Sequence, residues 1–150
     1  MDETSVTIGA PPEKVWKMVS DITRMGEWSP GNTGGKWILG AKGPAVGAKF
    51  LGFNKRGFAR WFTTCKVIEC EQPNSFAFQV IENRMKWGFR LKPTGDGGTV
   101  LTQWRDREKP PVAPVRALAT VLFQGKIEEE MVEGMQQTLA SIKAKAEQAA

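Results

Sequence analysis

Between residues 48 and 108 the chain is a succession of alternating segments cut by turn residues, and this run limits the fold more than any other feature. Segments 48–54, 59–71, 75–82, 85–93 and 99–107 read as strands. Lys55-Arg56-Gly57, Gln72-Pro73-Asn74, Asn83-Arg84 and Thr94-Gly95-Asp96-Gly97-Gly98 separate them. Connections this short suit antiparallel neighbours, because a parallel crossover needs a dozen or more residues. Lys109-Pro110-Pro111 ends the sheet, and the period then changes. From about residue 112 to 148 the apolar residues Val115, Leu118, Leu122, Ile127, Met131, Met135, Leu139 and Ile142 recur at helical steps. Glu128-Glu129-Glu130, Lys143 and Lys145 mark a wet face, and Gly125 is a place for a bend.

The N-terminal third adds smaller pieces. Residues 4–9 alternate as a strand. Pro11-Pro12-Glu13 opens a helix whose apolar face is Val15, Trp16, Val19 and Ile22. A second short helical turn over 21–25 ends at Gly26. Residues 31–48, with six glycines and Pro44, read as loop with a short strand near 36–39. The sum is an α+β domain spanning 1–150: a curved antiparallel sheet of about seven strands, two short helices after the first strand, and a long C-terminal helix closing the sheet over an apolar pocket.

Alternation assigns faces. Lys66 outward sends Trp61, Thr63, Cys65 and Val67 inward. Phe76, Phe78 and Val80 then face in against Gln79, and Trp87, Phe89 and Leu91 against Lys86, Arg90 and Lys92. Phe50, Gly52 and Asn54 share one face of the preceding strand. In the last strand Val100 and Leu101 are both apolar; the preferred register turns Leu101, Gln103 and Arg105 inward. Asn54, Thr63, Gln103 and Arg105 are then polar groups on an apolar wall, and buried polar groups need partners.

The residue inventory removes several chemistries. The chain has no histidine, which excludes Ser-His-Asp and Cys-His nucleophilic catalysis and histidine-containing zinc sites. No glycine-rich dinucleotide or phosphate loop occurs. Neither a metal site nor a cofactor is expected, and no catalytic residue is assigned. Cys65 and Cys70 lie five apart in one predicted strand, so they are expected on opposite faces, roughly 16 Å apart and unbridged. That favours a cytoplasmic location, as does an N-terminus without an apolar leader. No stretch reaches the length of a membrane span. Six Trp and eight Phe without any Tyr suit a core or a greasy pocket. A net charge of +5, spread along the chain, argues against nucleic acid as the favoured partner.

Several segments resemble the SRPBCC, or START-like, superfamily, specifically its polyketide cyclase/dehydrase-like group. They are Val6–Ile8 with Pro11-Pro12-Glu13-Lys14-Val15-Trp16; residues 20–30, ending in Glu27-Trp28-Ser29-Pro30; residues 43–50; Asn54; Trp61 with Thr63-Thr64-Cys65; Gly97-Gly98-Thr99; and residues 134–139. The resemblance covers nearly the whole chain and implies a helix-grip fold with a deep cavity between sheet and C-terminal helix. Members include lipid carriers, hormone receptors and aromatic polyketide cyclases. After Pro30 the sequence departs from relatives that often carry an acid, having Gly31-Asn32 instead.

The expected function is binding or transport of a small hydrophobic molecule (a lipid, polyketide or isoprenoid) by a monomer or homodimer with no integral membrane segment. The residues assigned to the ligand are Trp28, Phe50, Asn54, Trp61, Thr63, Phe78, Trp87, Phe89, Gln103, Arg105, Leu118 and Leu122. Against this stands a filled core, with Trp28 a plug and Arg105 a surface charge paired to Asp106 or Glu108. A cyclase/dehydrase-type enzyme using Arg105 or Asn54 to polarise a carbonyl is the alternative, weakened by the missing histidine. A third reading is an interaction module on the outer face, where Lys55, Arg56, Arg60, Lys86, Arg90 and Lys92 mix with Leu51, Phe53 and Phe62.

Overall fold

The computed structural model describes residues 1–107, 113–123 and 127–148. Strand β1 (Asp2–Ile8) leads into α1 (Pro12–Val19) and a 3-10 helix (Ile22–Glu27). Strands β2 (Asn32–Ile38), β3 (Lys49–Arg56), β4 (Ala59–Glu71), β5 (Ser75–Val80), β6 (Lys86–Pro93) and β7 (Thr99–Asp106) follow, then α2 (Ala113–Phe123) and α3 (Ile127–Ala146). The strands form one antiparallel sheet in the order β1-β7-β6-β5-β4-β3-β2. The α+β class and the helix-grip arrangement read from the sequence are what the chain adopts. Among the described residues no helix is long and apolar enough to cross a membrane.

The short N-terminal helices are fixed by local chemistry. Pro12 opens α1, where its missing N–H costs nothing, and Glu13 and Lys17 match the two helix ends. Val15, Trp16, Met18 and Val19 are buried. The indole Nε1 of Trp16 donates to the Ser75 carbonyl at 2.8 Å and so ties α1 to the start of β5. Asp21 caps the 3-10 helix through the Thr23 N–H and hydroxyl. That helix lies directly on β2, because a Cβ at Gly35 would stand 2.6 Å from the Ile22 carbonyl oxygen.

Faces follow the alternation. Phe50, Cys65, Val67, Phe76, Phe78, Val80, Phe89, Leu91 and Leu101 are all buried. In β7 Thr99, Leu101, Gln103 and Arg105 are buried while the residues between them are half-buried, so the preferred inward register is the one adopted. One strand breaks the pattern. The β4–β5 register shifts between Val67 and Glu69, a bulge that inserts one unpaired residue. The two cysteines therefore do not sit on opposite faces as simple alternation predicted. Cys70 packs against the same buried cluster that contains Cys65, and both thiols are free.

Two further expectations are corrected. β1 starts at Asp2 rather than residue 4, and β2 extends back to Asn32 because Gly34 and Gly35 pair with β3. The C-terminal helical pattern divides into α2 and α3; the bend expected at Gly125 lies outside the described residues. Only α3 has a buried stripe: Met135, Thr138, Leu139, Ile142 and Ala146. It packs against β1, β7 and α1, whereas α2 packs against α3.

The core consequently has two parts. One joins Ile8, α1, Trp28, Phe89, Leu91, Leu101 and the α3 residues Leu139, Ile142 and Ala146. The other joins Ile22, Phe50, Cys65, Val67, Phe76, Phe78 and Val80. On the outside, Trp104 lies flat over Gly88, where an added Cβ would meet its ring at 2.3 Å. Gly88→Ala is expected to destabilise the protein by about 1–3 kcal/mol through this overlap. Denaturant unfolding checks it, and Trp104→Ala in the same chain should remove most of the penalty.

Candidate functional site

Beyond the two core clusters, toward the end of the sheet formed by the β3–β4 hairpin, the start of β6 and the end of β7, the inner face is more polar and partly open. Adjacent strands set the arrangement. Asn54 pairs with Trp61, and Gly52 with Thr63. Across the sheet runs the row Val67, Phe78, Trp87, Arg105 and Asp2, each residue paired with the next. Beside it run Phe76, Phe89, Gln103 and Thr4. Asn54, Trp61, Thr63 and Trp87 face the helix side yet are only half-buried, so sheet and helix do not close on each other there.

Arg105 is the charged centre of this face. Its side chain is 3% exposed, and its Nε donates to Asp2 Oδ2 at 2.8 Å. The guanidinium carbon lies 6.0 Å from the Trp87 ring centroid, within cation–π range. Arg105 is thus buried rather than a surface charge, and its partner here is Asp2 and not Asp106; Glu108 lies outside the described residues. Inward alternation buries the guanidinium, and the β1–β7 register supplies Asp2. Asn54 Nδ2 donates to the Gly52 carbonyl at 3.2 Å. The Oε1 of Gln103, a residue 6% exposed, is buried without a hydrogen-bond partner among the described residues.

Two contacts close this face at the start of α3. Arg56 Nη2 meets Glu130 Oε2 at 2.8 Å. Pro30 stands against Gly134, where an added Cβ would lie 3.8 Å from Pro30 Cγ. Two sequence expectations change here. Arg56 belongs to the inner face and not to the basic outer one, and Glu130 leaves the solvated run to join it. A separate groove of about 460 Å³ follows the seam of β1 and α3, lined by Thr4, Val6, Gln136, Leu139, Lys143 and Glu147 among others.

The twelve residues assigned to a ligand divide clearly. Asn54, Trp61 and Thr63 lie together on the inner side of the β3–β4 hairpin, half-buried, and Trp87, Gln103 and Arg105 are neighbours on β6 and β7. Phe50 and Phe78 pack edge to face with centroids 5.1 Å apart inside one cluster, and Phe89 is buried in the other. Trp28 is buried beneath the Arg24 guanidinium, 5.3 Å from its ring, and belongs to the cluster containing Phe89 and Leu139. Leu118 is 66% exposed on α2 and is not brought to the sheet, and Leu122 on the same helix is half-buried. The α3 residues that are buried against the sheet side are instead the stripe from Met135 onward, which packs with Ile8, α1, Phe89, Leu91 and Leu101. Sequence reasoning missed Asp2 and Glu130 altogether, since each meets its arginine only through long-range pairing.

The thiol of Cys65 is pushed up to about 12, chiefly by burial, with the Thr63 hydroxyl pulling the other way. It is therefore a neutral core group rather than a nucleophile.

With this geometry in place, the comparisons are consistent. Residues 3–147 match the family described as polyketide cyclase / dehydrase and lipid transport. A polyketide-cyclase-like protein of Corynebacterium glutamicum, solved by NMR, is 31% identical, with 97% of this chain and 90% of that one covered and a TM-score of 0.62. A protein of Nitrosomonas europaea shares the fold at 16% identity, 96% and 95% coverage and a TM-score of 0.66. So does StfQ, a di-domain ARO/CYC protein of the steffimycin biosynthetic pathway, at 12% identity, 98% and 44% coverage and 0.68. Among curated proteins none matches the chain significantly. The chain belongs to the polyketide cyclase/dehydrase and lipid transport family, whose general role is ligand binding or cyclisation.

Burial of Cys65 has a pH consequence. Its pKa is raised on folding, so the stability it contributes is complete below about pH 9, near the unfolded value of 9.0, and falls as pH rises toward 12. Urea unfolding at stepped pH should show an alkaline loss that is shallower in Cys65→Ala. In the native protein at pH 8, thiol reagents should modify the half-buried Cys70 well before Cys65.

Proposed function

We propose that the protein binds a small, largely hydrophobic molecule (a lipid, polyketide or isoprenoid) on the open inner face between the sheet and α3. The observation that carries this reading is the buried, unpartnered Oε1 of Gln103. A buried acceptor without a donor costs roughly 1–3 kcal/mol, and an apolar residue would avoid that cost. A ligand hydroxyl or N–H answers it. Trp87 offers flat apolar area on the neighbouring strand, and Trp61, Asn54 and Thr63 are the half-buried groups of the hairpin's inner side that a ligand would also meet.

Arg105 serves this site as a positioning group. Asp2 and the Trp87 face hold its guanidinium in place, which leaves carriage better supported than carbonyl polarisation. Two unbridged cysteines support a reducing, cytoplasmic setting for this activity.

Purified protein is expected to give a native-mass adduct with one or more members of a panel of fatty acids, isoprenoid alcohols and aromatic polyketides. The same members should raise its melting temperature. Gln103→Leu should raise the melting temperature of the unliganded protein while reducing the ligand-induced rise. The reading fails if no panel member produces an adduct or a thermal shift. It also fails if Gln103→Leu leaves ligand-induced stabilisation intact.

A further inference from the structure

We propose that the tip of the β3–β4 hairpin is a docking surface for an anionic lipid membrane. The proposal concerns the outer face of the sheet and stands whether or not the inner face carries a ligand.

The hairpin is built to present apolar groups at its end. Arg56 pairs with Ala59, so Gly57 and Phe58 form a two-residue turn. Gly57 supplies the positive φ (+60°) that such a turn requires at its first position. Phe58 then projects fully into solvent. Three pairs back from Arg56–Ala59, Phe53 and Phe62 oppose each other on the outer face, and Phe62 is 59% exposed. Three phenyl rings on a single hairpin are a contiguous apolar feature of a kind that single scattered exposed residues are not.

The charges around these rings have one sign. Lys55 and Arg60 form the pair between Phe53–Phe62 and the turn. Lys36 lies beside Leu51 in the next register position, and Lys49 pairs with Lys66 beyond it. Arg60 hydrogen-bonds to the turn carbonyls of Gly57 and Ala59 rather than to an acid. The Glu82 carboxylate accepts from the Thr64 N–H at the side of β4. Among the described residues, Lys36, Lys49, Lys55 and Lys66 form no ion pair.

The order along the hairpin selects the partner. Phe58 leads, Lys55 and Arg60 follow, and Phe53 and Phe62 come behind. An interfacial element enters the headgroup boundary in this way, with rings among the acyl chains and basic side chains at the level of the phosphates. Single-stranded nucleic acid calls instead for flat rings within a basic groove, and here a ring stands beyond the cations. A second copy of the chain meeting this face would set Lys55 and Arg60 against their own counterparts, which repel. The inner side of the same hairpin carries Asn54 and Trp61, so docking would bring the open inner face to the lipid boundary.

Vesicle co-sedimentation of the full chain without added ligand tests this. The protein is expected to pellet with phosphatidylcholine vesicles containing phosphatidylglycerol, to remain soluble with phosphatidylcholine alone, and to be released by high salt. Each basic residue near such a surface contributes roughly five-fold to partitioning, so Lys55→Glu with Arg60→Glu should reduce binding by an order of magnitude or more. Phe58→Ser should also weaken it, with no change in melting temperature. The charge-matched control Lys17→Glu with Lys92→Glu, remote from the hairpin, should keep most of the binding. The proposal is overturned by absence of binding to anionic vesicles at low salt, or by equal losses in hairpin and control variants. It is also overturned if the hairpin variants abolish self-association or oligonucleotide binding while vesicle binding is unaffected.

Discussion

Every second side chain of β3 to β7 falls on one face of the sheet, and a seven-stranded sheet with one apolar face needs a cover. The remaining architecture answers that need. Helix α3 and α1 cover the β1–β7–β6 side, while the 3-10 helix covers the β3–β4–β5 side. These covers leave Asn54, Trp61, Thr63 and Trp87 half-buried at the hairpin end of the sheet. The end of β7 in the same region carries the buried polar groups Gln103 and Arg105 instead of more aliphatic side chains. Where a filled core would need close packing, this face combines large rings with polar groups and partial exposure.

Two ion pairs border this region, and they differ in burial. Arg105 is buried while Asp2 stays half in solvent. The carboxylate therefore keeps much of its hydration, and the desolvation penalty falls mainly on the guanidinium, which the Trp87 face partly offsets. Arg56 and Glu130 are each about one-third exposed, so their pair works more as a clasp between hairpin and helix than as a source of stability. Arg56 and its neighbour Lys55 on one strand thus have opposite assignments. Alternation turns one toward α3 and the other toward solvent beside Phe53.

The inner face was legible from local pattern wherever that pattern was unbroken. The register of β7 followed from alternation alone, and with it the inward placement of Gln103 and Arg105. Cys70 was misplaced because a bulge changes the phase without any strong mark in the residues around Ile68. Leu118 is exposed for a different reason: its helical spacing continues that of α3, but period alone does not say which turns of a helical stretch meet the sheet. Phe50 is legible from alternation as apolar and inward-facing, yet residue type does not distinguish a cavity wall from a packed core.

The sequence by itself determined the strand alternation, the turn positions and the absence of histidine chemistry, because these depend on residues next to one another or on simple inventory. Tertiary structure alone decided which arginine meets which acid, since Asp2 reaches Arg105 and Glu130 reaches Arg56 only after distant strands and helices have been brought together. It also decided that, among the described residues, nothing donates to Gln103 Oε1, because satisfaction of a hydrogen bond depends on every group within about 3 Å of the atom, whatever its place in the chain.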